Sequence, residues 1–446
     1  MQVIEPKLPG GFRDYLPEDM IPRQKMFDAI RETFERFGFV PLDTPGVERT
    51  EILTGGDEHF KKQIYGVVSE GGDENELSLR FDLTVPLARV MAANSGTLKK
   101  PFKRYQMGKV WRGERQQAGR YREFVQCDAD IVGSSRASAD AEIIALMYAT
   151  MKALGFSNFL IRVNNRKILN GLAPCAGFEE WKIEPVLRSL DKLGKQSWDD
   201  VAEELADEKC AYLSVKQIEI IGKFLKIKSK NYKKTLEEAT ELMRGIAIAE
   251  EGIQELTEVA KYLEWLGVPE SAWTIDFSVA RGLGYYTGTI FETTLTDLPQ
   301  IGSVFSGGRY DNLISRFGST IIPAVGTSIG IDRLFAAMEQ LKLVKQEKTV
   351  TEVLFLNFDE ASESDVIKNV SLLRTEGINT EFYVGNEENL KGQLAYAVNT
   401  EIPIIVIIGA IETAKSVALI KDMKARTQEE VKQKKLAERI KEILKK

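Results

Sequence analysis

The stretch RGERQQAGRYREFVQCDAD, Arg112 to Asp130, holds four arginines within eleven positions and then resumes a strand-forming pattern. The guanidinium of arginine binds phosphates and carboxylates through paired hydrogen bonds and stacks on aromatic rings, which lysine does less well. The flanking segments KRYQMGKVWRGE and FVQCDADIVG are rich in strand formers. The stretch therefore predicts an arginine-bearing loop between two strands, suited to a nucleoside triphosphate. A surface ladder of ion pairs is the alternative that these residues alone leave open.

Composition limits the classes of protein to which the chain can belong. With 446 residues it exceeds what one hydrophobic core usually supports, so we expect two or three domains. Three widely spaced cysteines and a single histidine, His59, do not form a recognisable zinc set, and they argue against the usual Ser-His-Asp or Cys-His nucleophiles. We find no long apolar run and no signal-peptide pattern, so we expect a cytoplasmic protein with no membrane partner. The net charge of −6 still permits a nucleic acid to bind a local basic face.

The order of patterns along the chain predicts a mostly antiparallel, strand-rich unit that is interrupted by helices. Segments rich in strand formers, including ELSLRFDLTVPLARVMA, precede an almost wholly helical pattern from about Pro174 to Trp265. Strand-like, glycine-punctuated sequence returns in TIDFSVARGLGYYTGTIFETTL, which suggests that the helical block is an insertion. After the lysine-rich linker KLVKQEKTVTE, strands and helices alternate and predict a small α/β domain with a partly parallel sheet.

The C-terminal segment KDMKARTQEEVKQKKLAERIKEILKK is enriched in lysine and arginine. It reads as the solvated end of an amphipathic helix with Val431, Leu436, Ile440 and Ile443 facing inward. A nucleic-acid-binding face is the alternative that remains open.

Three further glycine-rich segments carry arginines: ARGLGYYTGTIFE with Arg281, FSGGRYDNL with Arg309, and GTSIGIDRL with Arg333 at the start of a helix. Glycine permits close approach of the backbone to a ligand. For the first segment, a tight turn with two half-buried tyrosines is an equal alternative. Neither common phosphate-binding loop is present in the sequence, so a nucleotide would have to be held by arginines on a sheet.

In this order the segments resemble the three motifs of class II aminoacyl-tRNA synthetases, with PGVERTEIL as the dimer motif, VWRGERQQAGRYREFVQ as the second and GTSIGIDRL as the third. ARGLGYYTGTIFE and SGGRYDNL resemble the two signatures of the histidyl-tRNA synthetase family. The resemblance covers nearly the whole chain. It implies an α+β catalytic domain built on an antiparallel β-sheet flanked by helices at 1–345, interrupted by a helical insertion at 174–265, and a C-terminal α/β anticodon-binding domain at 346–446.

The resemblance implies that a homodimer attaches L-histidine to tRNA(His) through a histidyl-adenylate, using ATP and Mg²⁺ but no protein-held metal. Five residues are expected to bind ATP: Arg112 at the α-phosphate, Glu114 near the adenine amino group, Arg120 at the β- and γ-phosphates, and Phe124 and Arg333 on the two faces of adenine. Arg281 and Arg112 are expected to be catalytic, because Arg281 would stand near the α-phosphate.

The expected histidine-binding residues are Asp82, Gln126, Asp130, Arg281, Tyr285 and Tyr286. Two departures from the family pattern are visible. Gly284 stands where an acidic residue is usual, and the loop RQQAG lacks the more common proline.

A non-catalytic alternative is the regulatory subunit of ATP phosphoribosyltransferase, which shares the fold and binds histidine. Such a protein would be expected to lack the C-terminal domain and to have lost the arginines that bind ATP, whereas Arg112, Arg120, Arg281 and Arg333 are all present. A sensor of uncharged tRNA would be expected to carry further fused domains, and the sequence predicts none.

Overall fold

The structure is a computed structural model that describes residues 3–55, 63–68, 71–72, 76–113, 121–229, 231–280, 284–318 and 320–445. The chain divides into two compact units, one formed by the residues up to Arg13 with Met26–Leu343, the other by Asp14–Lys25 with Val344–Lys446. The described helices, in chain order, are α1 Pro17–Arg36, α2 Thr50–Thr54, α3 Thr84–Ala93, α4 Ala137–Ala153, α5 Arg166–Asn170, α6 Leu172–Ala176, α7 Ile183–Leu190, α8 Trp198–Ala206, α9 Val215–Lys226, α10 Tyr232–Leu242, α11 Ala247–Trp265, α12 Ile331–Gln340, α13 Glu363–Thr375, α14 Leu390–Asn399, α15 Ala410–Lys415 and α16 Leu436–Leu444. None of these helices is long and apolar enough to cross a membrane.

Two sheets form the strand framework of the first unit. Its strands are β1 Val40–Pro41, β2 Val47–Arg49, β3 Gly66–Val67, β4 Leu77–Leu79, β5 Phe102–Trp111, β6 Glu123–Val132, β7 Phe159–Asn165, β8 Trp273–Ile275, β9 Thr289–Leu295, β10 Ser303–Arg309 and β11 Ala324–Gly330. The large sheet has the order β1-β5-β6-β11-β10-β9-β7-β8, and β2-β4-β3 form a small one. Only the outer pairs β1·β5 and β7·β8 of the large sheet are parallel, so the expected antiparallel sheet is confirmed.

The β5–β6 pair that the arginine-rich stretch connects forms the second and third strands of the large sheet. The register runs from Phe102 opposite Val132 to Trp111 opposite Glu123 without a shift. On its other side β6 pairs with β11, from Gly330 opposite Gln126 to Ala324 opposite Val132. Because side chains alternate between the faces of a strand, this register decides which polar groups of three neighbouring strands share a face.

The stretch from Pro174 to Trp265 is helical as expected, and α6 to α11 occupy most of it. Several of these helices begin at a capping residue: the Ser197 hydroxyl accepts the backbone N–H of Asp200, and the Asn231 side chain accepts that of Lys233. The separate role of residues 174–265 as an insertion stays a prediction, as do the domain limits at 345 and 346.

Two local expectations are wrong. In ELSLRFDLTVPLARVMA only Leu77–Leu79 form a strand, and Thr84–Ala93 form helix α3, because Pro86 lies in the first turn, where its missing N–H is not needed. At the C-terminus, Val431 does not belong to a helix. It lies on a strand, Thr427–Lys432, and the last helix begins only at Leu436.

The second unit is the expected α/β domain with a partly parallel sheet. Its strands are β12 Val353–Phe355, β13 Thr380–Phe382, β14 Ile404–Ile407, β15 Val417–Asp422 and β16 Thr427–Lys432. The order is β13-β12-β14-β15-β16, with β12 parallel to both neighbours and the β14–β15–β16 pairs antiparallel. Val353 and Phe355 face one buried cluster, while Leu354 and Leu356 face another. Apolar side chains on both faces explain why VLFLNF and IPIIVIIG are nearly continuous apolar runs.

The arginine of the SGGRYDNL segment is part of the framework of the first unit. Arg309 is buried, and its Nη2 and Nε donate to the two carboxylate oxygens of Asp140 on α4 at 2.6 and 3.1 Å. Its remaining donors reach the backbone carbonyls of Ser134 and Arg136 and the carboxylate of Asp311. This guanidinium therefore ties the end of β10 to α4 and to the turn that follows β6.

We expect the substitution Asp140→Ala to destabilise the first unit strongly, because it leaves a buried guanidinium without its main counter-charge. Breaking a buried ion pair by removing one partner costs about 3 kcal/mol or more. The urea midpoint of the unfolding transition, followed by circular dichroism, should fall clearly. Asp311→Ala is the matched control, since Asp311 is more exposed and lies 3.3 Å from Arg309, and its loss should be much smaller. Equal losses in the two variants would contradict the assignment.

Candidate active site

One face of the central strands carries an unusual set of buried polar side chains. Gln126, Asp128 and Asp130 alternate along β6 and point to the same side of the sheet, and all three are buried. Across the ladder, Arg104 of β5 lies opposite Asp130. On β11, Ser328 lies opposite Asp128. Three strands thus build a polar floor in the middle of the sheet.

A cavity of about 460 Å³ lies over this floor. It is the place where the structure brings most of the predicted histidine-binding residues together. Six predicted site residues line it: Asp82, Arg112, Gln126, Asp130, Tyr285 and Tyr286. Asp191, Lys192 and Lys195 from the helical block line it as well. A pocket of this size with a few convergent polar groups fits a small polar ligand.

Asp130 is held from two sides. Its Oδ2 lies 2.7 Å from Nη2 of the fully buried Arg104, and the hydroxyl of Tyr310 donates to its Oδ1. Burial raises the pKa of Asp130, and the charge of Arg104 and the hydrogen bond from Tyr310 oppose that rise. Gly326 on β11 makes room for the carboxylate, because a Cβ at that position would lie 1.8 Å from Asp130 Oδ1.

Asp82 lies in the turn before α3. Its Oδ1 accepts the backbone N–H of Val85 at 3.0 Å, which places the carboxylate at the N-terminal end of the helix. Burial raises the pKa of Asp82, whereas the N–H groups of Val85 and Thr84 and the charge of Arg112 lower it. Asp82 therefore faces the cavity with one oxygen fixed by the helix.

Asp128 also lines the cavity, and the sequence interpretation missed it. Burial raises its pKa to about 7; the charge of Arg104 opposes the shift, and the carboxylates of Asp130 and Asp82 reinforce it. The signal was available, because strand alternation that brings Gln126 and Asp130 to one face must bring Asp128 there too. Tyr310 and Arg104, which hold Asp130, were missed as well.

Two tyrosines close one side of the cavity. The ring centres of Tyr285 and Tyr286 are 5.1 Å apart, and Tyr285 contacts the ring of Tyr310 edge-on. Burial raises the pKa of Tyr286, and the carboxylates of Asp130 and Asp128 raise it further. Both hydroxyls of the pair therefore keep their protons at neutral pH.

Arg112 lies between two aromatic rings at the end of β5. Its guanidinium carbon is 4.4 Å from the ring centre of Phe81 and 5.0 Å from that of Phe124, and its Nε donates to the backbone carbonyl of Phe81. Stacking and one hydrogen bond orient the planar group and leave its other N–H groups for a ligand.

The structure describes only some of the other residues that are expected to bind ATP. Arg333 lies in the first turn of α12, where its Nη1 donates to the carbonyl of Ser303 at 2.6 Å. Neither Arg333 nor Phe124 lines the 460 Å³ cavity. Glu114, Arg120 and Arg281 lie outside the described residues. Across the described ranges, no group of three or more His, Cys, Asp or Glu side chains could hold a metal ion.

Comparisons with known proteins agree with this geometry. A family model described as histidyl-tRNA synthetase matches residues 11–334, and one described as anticodon binding domain matches residues 351–443. The histidine–tRNA ligase of Rhodopirellula baltica is 41% identical over 430 residues, which cover 96% of each chain.

Solved structures match in the same way. The crystal structure of histidyl-tRNA synthetase from Nostoc sp. PCC 7120 covers 99% of this chain and 100% of that chain, with a TM-score of 0.88 and 33% identity. A Bacillus halodurans protein titled an ATP phosphoribosyltransferase regulatory subunit/histidyl-tRNA synthetase covers 92% of this chain and 100% of that chain, with a TM-score of 0.76; at 24% identity it shows the fold alone. From the family match over most of its length and the identity to a full-length relative, the chain belongs to the histidyl-tRNA synthetase family.

Proposed function

We propose that this enzyme activates L-histidine with ATP and transfers it to tRNA(His) for translation. A histidine carboxylate oxygen attacks the α-phosphorus of ATP and pyrophosphate leaves, which forms histidyl-adenylate. A hydroxyl of the terminal adenosine of the tRNA then attacks the histidyl carbonyl, and AMP leaves. The observation that carries the proposal is the polar floor of Gln126, Asp128 and Asp130 under a cavity of amino-acid size in a member of this family.

The floor matches the chemistry of histidine. A neutral imidazole has one N–H donor and one acceptor nitrogen, and the side chains around Asp130 and Tyr286 supply an acceptor and a protonated hydroxyl. A site that pairs both nitrogens rejects amino acids that lack them, because its own buried polar groups would be left unpaired. Asp82 and Gln126 are proposed to receive the α-amino group.

ATP is proposed to bind through the arginine-rich loop. Arg112, oriented by Phe81 and Phe124, would grip the α-phosphate with its open N–H groups. Arg120 would meet the β- and γ-phosphates and Glu114 the adenine amino group, while Phe124 and Arg333 would pack on the adenine. Adenylate formation depends mainly on in-line positioning and on neutralised charge, which fixed guanidinium groups supply.

Arg281 is proposed as the second catalytic arginine, stabilising the negative charge that develops at the α-phosphorus. Mg²⁺ is proposed to arrive with the phosphates of ATP. Within the described ranges no group of three or more His, Cys, Asp or Glu side chains could hold the ion without the nucleotide.

The partners follow from the same proposal. The C-terminal unit, which matches an anticodon-binding model, would contact the anticodon of tRNA(His), and the helical block would lean on the acceptor stem. We propose a C2 homodimer with PGVERTEIL in its interface. The enzyme would work in the cytoplasm, where translation consumes the charged tRNA.

Histidine-dependent exchange of pyrophosphate into ATP tests the adenylate step. We expect exchange with histidine and with no other amino acid in a panel, and a loss of about 100-fold or more in Arg281→Ala, the usual cost of removing a group that stabilises transition-state charge. Binding of histidine without exchange would instead support a regulatory, non-catalytic protein. Exchange with another amino acid would mean that the cavity is wrongly assigned.

Arg112→Ala should lower the rate of pyrophosphate exchange about 100- to 1,000-fold, because it removes a preoriented donor from the α-phosphate. Arg122→Ala is the matched control from the same loop; Arg122 donates to the backbone carbonyl of Gly10 in an exposed contact, so its loss should change the rate by less than about threefold. Similar losses in both variants would refute a specific role for Arg112.

Gly326→Ala should weaken histidine binding at least about 10-fold, because the new Cβ would overlap Asp130 Oδ1 and displace the carboxylate. Gly330→Ala on the same strand is the control, since a Cβ there has no heavy atom within 4 Å. Calorimetric titration with histidine, without ATP, measures both. A normal histidine affinity in Gly326→Ala would show that the position of Asp130 does not matter for binding.

A further inference from the structure

Three buried oxygens at the cavity are open. Asp82 Oδ2, Gln126 Oε1 and Asp128 Oδ1 accept no hydrogen bond from the described part of the chain, although each belongs to a side chain less than one-tenth exposed. Asp130 Oδ2 accepts none either, but it lies 2.7 Å from Arg104 Nη2 as its ion-pair partner. All three residues line the cavity. A buried acceptor without a partner destabilises the folded protein, so a set of three in one cavity indicates a ligand with several donors.

The other atoms of these side chains are fixed by the protein. Val85 N–H donates to Asp82 Oδ1, and Gln126 Nε2 donates to Ser328 Oγ at 2.6 Å. Because the amide nitrogen of Gln126 is used by Ser328, its Oε1 is the open atom of that side chain.

Asp130 differs from Asp128 in this respect. Its two oxygens already lie against Arg104 and Tyr310, so its negative charge is balanced within the protein and it has no need of a substrate cation. The buried Arg104 is ion-paired with Asp130, and no residue of the described part of the chain forms an ion pair with Asp128. Asp82 and Asp128 therefore present negative charge and open acceptors to the same space, which favours a cation with several N–H donors.

We propose that Asp128 accepts a hydrogen bond from the α-ammonium group of histidine and completes a three-acceptor cradle with Asp82 and Gln126. A protonated amino group has three N–H donors, which the three open oxygens can receive. The inference rests on the proposed function and adds a specificity residue to it. Asp130, held by Arg104 and Tyr310, then serves the imidazole end of the substrate.

Protonation gives this cradle a measurable signature. The pKa of Asp128 is raised to about 7, so in the empty site the carboxyl is partly protonated at neutral pH and wholly ionised only above it. An ammonium group binds the ionised form, so binding near pH 7 should release a proton and affinity should rise from pH 6 to pH 8. Among the described residues, the titratable or charged groups that face Asp128 or line its cavity are Arg80, Asp82, Arg104, Arg112, Asp130, Asp191, Lys192, Lys195, Tyr285, Tyr286 and Tyr310.

Calorimetric titration of the full chain with two histidine analogues tests the proposal. L-Histidinol keeps the ammonium and imidazole groups and lacks the carboxylate, so no adenylate forms; 3-(imidazol-4-yl)propionate keeps the imidazole and lacks the ammonium. We expect Asp128→Asn to weaken histidinol binding about 10- to 100-fold, the usual effect of losing a hydrogen bond between charged groups. The affinity for imidazolepropionate should stay within about threefold of that of the unmodified chain. Asp297→Asn, an exposed carboxylate of the first unit that does not line the cavity, is the control and should bind both analogues normally.

Titrations in buffers of different ionisation enthalpy measure the proton released. The unmodified chain should release protons with histidinol near pH 7 beyond the number that histidinol's own imidazole loses, which titration of the free analogue in the same buffers gives. This measurement needs no variant and so stands even where Asp128→Asn folds poorly. Equal weakening of both analogues by Asp128→Asn, or a proton release with histidinol that its imidazole fully explains, would overturn the ammonium assignment.

The outcomes separate this inference from the proposed function. Normal histidinol binding by Asp128→Asn, in a chain that still supports histidine-dependent pyrophosphate exchange, would overturn the cradle and leave the proposed function intact. An unmodified chain that binds neither histidine nor histidinol and gives no exchange would overturn both.

Discussion

The ion pair between Arg104 and Asp130 is the interaction on which the rest of the site depends. Both side chains are buried in the middle of the large sheet, with their charged atoms 2.7 Å apart. Arg104 also donates to the backbone carbonyl of Leu83 beside α3, and Asp130 receives the hydroxyl of Tyr310 after β10. One pair therefore links β5, β6, the start of a helix and a distant turn. A buried pair of this kind contributes little net stability, although removing one partner is strongly destabilising. Its main role here is to fix the positions of the elements that it links.

The ion pair also determines which carboxylates of the site keep an unbalanced negative charge. Arg104 neutralises Asp130, so Asp82 and Asp128 remain as the acidic end of the cavity, while Arg112 stands between two aromatic rings at another part of its wall. An amino acid carries one cationic and one anionic group, and ATP brings further negative charge. A cavity lined by both carboxylates and a guanidinium group suits that pair of substrates, because each charged group of the substrates can meet an opposite charge.

Much of the fold could be predicted from the sequence, because strand formers and turn residues agree with the final pairing in KRYQMGKVWRGE and FVQCDADIVG. The errors have identifiable causes. Branched residues in LTVPLARVMA favoured a strand, but an apolar face packed against the core and a proline in the first turn make it helix α3. Val431 fitted a helical period, yet it pairs with Ala418 on the neighbouring strand, and this pairing decides its conformation.

Asp128 was missed because the family resemblance pointed only to Gln126 and Asp130. Contacts such as Arg104 with Asp130 depend on register across the ladder, which single-sequence patterns do not give.

The helical block has a direct part in the walls of the cavity. Lys192 and Lys195 lie in or next to the short helical turn Asp191–Gly194, and Lys192 is tied to Glu204 on α8 by an ion pair. The position of these lysines therefore depends on the folding of a segment more than 60 residues in sequence from the floor that they face. Deleting residues 174–265 would therefore remove one wall of the cavity, and with helix α11 it would also remove apolar packing against α4 and β7.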